Sequence, residues 1–148
     1  MTLKTFRFWQ KWLTYSNVMT VIVGFLIAFA SNSAVFDIYN EYMLVHFFNG
    51  EPFPPQLLLF KNWLFGIIGG TIVGFHILMI MISENAYKKK EPWAYRAMWF
   101  GLLSWFVIDS GISWYSGAIF NIVLINLVAL VLIGIPLIAT RNQFKRSK

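Results

Sequence analysis

The chain has no cysteine, only two histidines and only six acidic residues in 148, and charged residues of both signs amount to 12% of it. Without cysteine there is no disulfide framework, no thiol nucleophile and no thiolate metal or redox centre. With so little charge, a water-soluble globule of this length could not cover its apolar content, which is 58% hydrophobic and 19% aromatic. No glycine-rich phosphate loop ending in Lys-Ser/Thr occurs, nor His-Glu-x-x-His, nor a serine beside an embedded base, so no catalytic residue is assigned. His46 and His76 fall in different segments of the chain. A two-histidine haem or metal centre needs both rings at one point, so neither cofactor nor metal is expected.

What is present is a set of long apolar runs. About 20 apolar residues are needed to cross about 30 Å of hydrocarbon, and each crossing segment must satisfy its own backbone. Four runs meet that length, approximately at 17–36, 63–82, 94–115 and 118–139. The expected fold is therefore an all-α, single-domain bundle of four transmembrane helices. The third run carries Arg96 at one end, where it can snorkel, and Asp109 well inside. The first is apolar from Val18 to Ala30 and reaches full length only through Ser31-Asn32-Ser33 and Ala34-Val35-Phe36. Its basic flank and Ala28-x-Ala30 also fit a cleavable secretory signal, but the long aromatic stretch before it favours a retained helix.

The basic residues give the orientation. Lys4, Arg7 and Lys11 precede the first run; Lys88, Lys89, Lys90 and Arg96 flank the second connection; Arg141, Lys145, Arg146 and Lys148 form a basic tail, 140–148. Eleven of twelve thus share one side of a four-span arrangement, which the positive-inside bias makes cytoplasmic. Both termini are expected inside, in a cytoplasmic (inner) membrane. The net charge of +6 is then explained by topology, and nucleic acid is not expected as a partner. Residues 1–16 read as an amphipathic interfacial anchor, with Lys4, Arg7 and Lys11 on one side and Phe6, Trp9 and Leu13 on the other, so that membrane lipids are its partners.

Only Ser116-Gly117 separates the third and fourth runs, which predicts a tight antiparallel hairpin. The connection 37–56 is longer and rich in bulky apolar groups. It reads as an extracytoplasmic lid: a short interfacial helix ending near Asn49-Gly50, then a stiff Glu51-Pro52-Phe53-Pro54-Pro55 segment. In the second run, Gly66, Gly70 and Gly74 recur every four residues, with Gly69 beside them, and predict a helix-packing seam within the bundle, with a homodimer seam as the alternative. The oligomeric state is not set by this pattern.

Asp109 is the most informative side chain. A carboxylate in hydrocarbon is turned inward, paired or protonated, because leaving it bare costs several kcal/mol, about 3 on conservative scales. Folding the hairpin at Ser116-Gly117 sets Asp109 opposite a stretch between Asn121 and Asn126, with Ser113 on its own stripe. Asn32 and Lys61 are expected on the same outer half. One reading is a ligand-binding cavity lined by Asp109, Asn121, Asn126, Ser113, Asn32 and Lys61. The other is a hydrogen-bond network locking four helices together, with Lys61 as counter-ion.

The run Trp105-Phe106-Val107-Ile108-Asp109-Ser110-Gly111-Ile112-Ser113-Trp114-Tyr115-Ser116-Gly117, with Phe120-Asn121, Asn126 and Pro92-Trp93-Ala94, resembles a group of small bacterial four-span membrane proteins with no assigned activity. The resemblance implies a bacterial cytoplasmic membrane and draws attention to Asp109, Asn121 and Asn126. Three functions follow as expectations: a small-molecule- or lipid-binding, transport-accessory protein; a structural subunit docking on a membrane-protein partner; and an enzyme using Asp109 in proton transfer.

Overall fold

The computed structural model describes residues 1–144, which are helical nearly throughout and contain no strand. Lys145, Arg146 and Lys148 of the basic tail lie outside the described residues. Helix α1 spans Leu3–Ala30, α2 Asp37–Phe48, α3 Pro55–Ile82 and α4 Pro92–Tyr115; α5 (Ile119–Asn121) and α6 (Leu127–Thr140) are joined by a π-turn, Ile122–Asn126. A second π-turn, Ser83–Tyr87, extends α3. Three helical stretches are long and apolar enough to cross a bilayer: Leu3–Ala30, Pro55–Tyr87 and Ile119–Gln143. They mark the chain as a membrane protein. Helix α4 has the length, at 24 residues, but Arg96, Asp109 and its serines dilute its apolar character.

The N-terminal region is continuous with the first apolar run. Residues 3–30 form one unbroken helix, since nothing between Leu13 and Val18 terminates it. At 28 residues it is about 42 Å long, more than the hydrocarbon thickness requires. The basic Lys4, Arg7 and Lys11 are exposed and Trp9 is half-buried, while Phe6 and Leu13 are buried in protein. Aromatic packing supplies the reason: Phe6 meets Tyr87 at 6.1 Å and Phe144 at 6.0 Å between ring centroids.

The chain divides into two compact units, Met1–Met19 with His76–Lys148, and Thr20–Phe75. In the first, α4 runs antiparallel to the last helix over its whole length. At one end Tyr95 stacks on Phe144 at 4.8 Å. In the middle, the Trp99 ring lies 4.0 Å from where a Cβ on Gly134 would sit. At the other end Asp109 meets Asn121 and Asn126. The reversal occurs at Ser116-Gly117, with Gly117 at φ 71 and the Ala118 amide donating to the Ser113 carbonyl at 2.8 Å, as the short connection required. Helix α1 joins this unit through the Trp12 indole, which donates to the Leu132 carbonyl at 3.0 Å.

In the second unit, α2 ends where Asn49 (φ 51) and Gly50 (φ 82) turn left-handed, and the Gly50 amide caps the Leu44 carbonyl at 3.0 Å. Helix α1 approaches α3 closely here, at Gly69 rather than along the four-residue repeat. A Cβ on Gly69 would collide with the Gly24 carbonyl and sit 2.6 Å from the Ala28 nitrogen, whereas at Gly70 and Gly74 it would meet nothing within 4 Å. Gly66 is only grazed, at 4.0 Å from the Ala28 carbonyl. The Gly66-Gly70-Gly74 face is therefore not the contact between these helices. A four-residue repeat identifies a smooth face, and the neighbour here packs on the adjoining one, through Gly69.

Candidate functional site

The site is assembled near the turn of the α4 hairpin. Asp109 and Ser113 are one helical turn apart on α4 and share a face. Asn121 and Asn126 are five residues apart, which in an unbroken α-helix would separate them by about 140°. The π-turn Ile122–Asn126 closes residue i on i+5 and brings both amides to the same side. Both then donate to one oxygen: Asn121 Nδ2 lies 2.8 Å and Asn126 Nδ2 2.7 Å from Asp109 Oδ1. Ser113 Oγ adds a third, longer donation at 3.3 Å.

The same amides cross-link the cluster. Asn121 Nδ2 also donates to Ser113 Oγ at 2.9 Å, and Asn126 Nδ2 to Ser110 Oγ at 3.0 Å. Asn126 is fully buried and Ser113 nearly so, while Asp109, Ser110 and Asn121 are half-buried. Two acceptors stand out. Asp109 Oδ2 receives none of the three donations, and the buried Asn126 Oδ1 has no partner among the described residues. A carboxylate oxygen that accepts three donors is held in place, and its second oxygen keeps its capacity to accept.

Asn32 and Lys61 belong to the second unit and meet each other there. Lys61 Nζ donates to Asn32 Oδ1 at 2.8 Å, and Asn32 Nδ2 donates to Asn62 Oδ1 at 2.9 Å. Of the six expected lining residues, the structure thus joins Asp109, Ser113, Asn121 and Asn126 in one cluster and Asn32 with Lys61 in another.

Further polar residues escaped the sequence reading. Gln10 Nε2 donates to Glu84 Oε1 at 2.8 Å, Thr14 Oγ1 donates to the same oxygen at 2.8 Å, and Thr14 Oγ1 pairs with Ser83 Oγ at 2.8 Å. Asn17 Nδ2 donates to the Leu13 carbonyl at 2.7 Å, which turns its Oδ1 to His76 Nδ1, also at 2.7 Å. Since Oδ1 only accepts, Nδ1 is the protonated ring nitrogen. His76 is accordingly a packed histidine bonded to a neighbouring helix. The signal was present: Gln10, Thr14 and Asn17 follow i, i+4, i+7 spacing and form a polar stripe in an apolar helix. Among the described residues no group of three metal-ligating side chains gathers.

No family model matches the chain, and neither the curated proteins nor the solved structures include a match. The functional reading rests on this chain's own geometry.

Proposed function

We propose that the protein is a small-molecule-binding, transport-accessory protein of a bacterial cytoplasmic membrane, with Asp109 as the anchor for its guest. The observation that carries this reading is the convergence of three donors on Asp109 Oδ1, which leaves Oδ2 without any of them, while Asn126, one of the donors, has an orphan Oδ1. Two acceptors select a guest that brings donors, an amine or a polyhydroxylated molecule. A positively charged amine would also neutralise the carboxylate, which bilayer surroundings favour strongly.

The topology that goes with it has four spans and both termini inside. Pairing along the whole last helix supports a spanning α4, because a helix matched end to end with a crossing helix has the same depth range. An even number of spans also puts all basic segments but Lys61 on one side. The lid reading assigns α2 to the opposite interface, where its exposed Ile38, Tyr42, Val45 and Phe47 would contact lipid.

Native mass spectrometry of the protein released from its own membrane tests the proposal. A bound donor-rich molecule is expected, lost in Asp109→Asn while the thermal midpoint holds. If Asp109→Asn only lowers the midpoint and no molecule is present in the parent, the cluster is a structural network and the proposal fails. A second reading, docking on a membrane-protein partner, is favoured by the open Gly70 and Gly74 positions, which leave a smooth strip of α3 to receive another helix.

A further inference from the structure

Lys61 is 6% exposed, in the second turn of an apolar helix. A buried ammonium normally has a carboxylate beside it. Within its unit the carboxylates are Asp37, Glu41 and Glu51; all are exposed, and none forms an ion pair with Lys61. Its neighbours are neutral: Asn32 Oδ1 at 2.8 Å, and the rings of Phe53 and Phe65 with centroids 5.5 and 5.1 Å from Nζ. Three N–H groups are available and a single hydrogen bond uses one of them. The π faces soften the cost of the charge without cancelling it.

The segment that holds Lys61 has unmet polar atoms of its own. Ser31-Asn32-Ser33 is tied to α2 by Asn40 Nδ2, which donates to the Ser31 carbonyl at 2.9 Å, and to α3 through Asn32. In it, Ser33 Oγ and Asn40 Oδ1 are buried and have no partner among the described residues. Both orphan atoms thus belong to the segment and the helix that are tied to Asn32, the residue holding the Lys61 ammonium, and a buried polar atom without a partner calls for an explanation.

We propose that Lys61, Asn32 and Ser33 form an anion site for a phosphate group, separate from the Asp109 cluster and independent of the role given to it. The ammonium supplies the charge and Ser33 Oγ a donor to the phosphate oxygens. Asn40 Oδ1 accepts from a hydroxyl carried by the same molecule, as in a glycerol phosphodiester. The phosphate comes from a lipid headgroup or from free phosphate, and the chemistry of recognition is the same for both.

The test is thermal unfolding of the full chain in nanodiscs of phosphatidylcholine alone, of phosphatidylcholine with phosphatidylglycerol, and of phosphatidylcholine with millimolar inorganic phosphate. Parent, Lys61→Met, Lys61→Arg and, as a charge-matched control, Lys89→Met at an exposed lysine are compared. Phosphatidylglycerol is expected to raise the midpoint of the parent, Lys61→Arg and Lys89→Met but not that of Lys61→Met. Lipid retained per protein, read by native mass spectrometry, should fall at least tenfold in Lys61→Met alone. Stabilisation by phosphatidylglycerol alone assigns the headgroup; equal stabilisation by inorganic phosphate assigns the free ion. If neither anion shifts the parent, or if Lys61→Met and Lys89→Met respond alike, the site does not exist. Should Lys61→Met not fold, the response of the parent to the three compositions and its loss in Ser33→Ala decide the matter.

Discussion

Asn121 and Asn126 place their amide nitrogens 2.8 and 2.7 Å from the same oxygen of Asp109, although five residues separate them. The π-turn between them makes a pair of neighbours out of residues that an α-helix would send to different faces. Deleting the exposed Leu124 turns the spacing into i, i+4, which an unbroken helix sets only about 40° apart. The deleted chain is therefore expected to fold and to keep its guest. Asn126→Leu, by contrast, removes a buried donor to a carboxylate and should cost about 1–3 kcal/mol. Thermal unfolding in detergent and guest retention check both; equal damage from the two changes would show that the π-turn has a separate role.

Gly69 and Gly70 are adjacent but should respond oppositely to alanine. A Cβ at Gly69 would run into the backbone of α1, and helix separation or bending should cost about 1–3 kcal/mol. At Gly70 there is open space, so alanine should be neutral or gain up to about 1 kcal/mol in helix propensity. The comparison is made by unfolding in detergent. Leucine at Gly70 separates the docking reading: it should leave the isolated chain folded and release any helix partner retained through mild purification.

Tyr87 and Thr140 are joined by a buried hydrogen bond. Thr140 Oγ1 donates its own proton to the Pro136 carbonyl at 2.7 Å, so the Tyr87 hydroxyl is the donor to Thr140. Tyr87→Phe should cost about 1 kcal/mol, and Thr140→Val more, since it strands the tyrosine hydroxyl in the core. A double-mutant cycle should return a coupling of about 0.5–2 kcal/mol. No coupling would mean that ring packing on Phe6 and Phe144, at 6.1 and 4.6 Å, holds Tyr87 by itself.

Because the chain has no native cysteine, single cysteines report topology without background. In sealed vesicles an impermeant maleimide should reach Thr2→Cys, Lys89→Cys and Asn142→Cys from one side, and Glu51→Cys and Ser116→Cys from the other. Labelling of Ser116→Cys from the side of Lys89→Cys, with Asn142→Cys reached from the side of Glu51→Cys, would give three spans and displace α4 from the membrane.

The Asp109 cluster was legible because a hairpin with a two-residue turn fixes which residues face each other: Asp109 had to meet the stretch between Asn121 and Asn126. The helix of the first loop was legible in the same way, through the Asn49-Gly50 stop. The glycine-rich face was legible, but which of its glycines meets a neighbour was not. Small residues at four-residue spacing mark where a helix can be approached, and the approach itself depends on the partner's rotation, which brought Gly24 to Gly69. Nor was the fate of Phe6 and Leu13, since an amphipathic face packs equally well on acyl chains or on protein.

Composition and the length of the apolar runs determined by themselves that this is a helical membrane protein, because lipid leaves the backbone few other ways to satisfy its hydrogen bonds. The hairpin pairing followed from a connection too short to allow any other. Tertiary structure alone decided which oxygen of Asp109 is used and that Lys61 is buried against rings without a carboxylate. Those outcomes depend on helix rotation and on an added residue in one turn. Both shift side chains by tens of degrees while leaving the apolar pattern of the sequence almost unchanged.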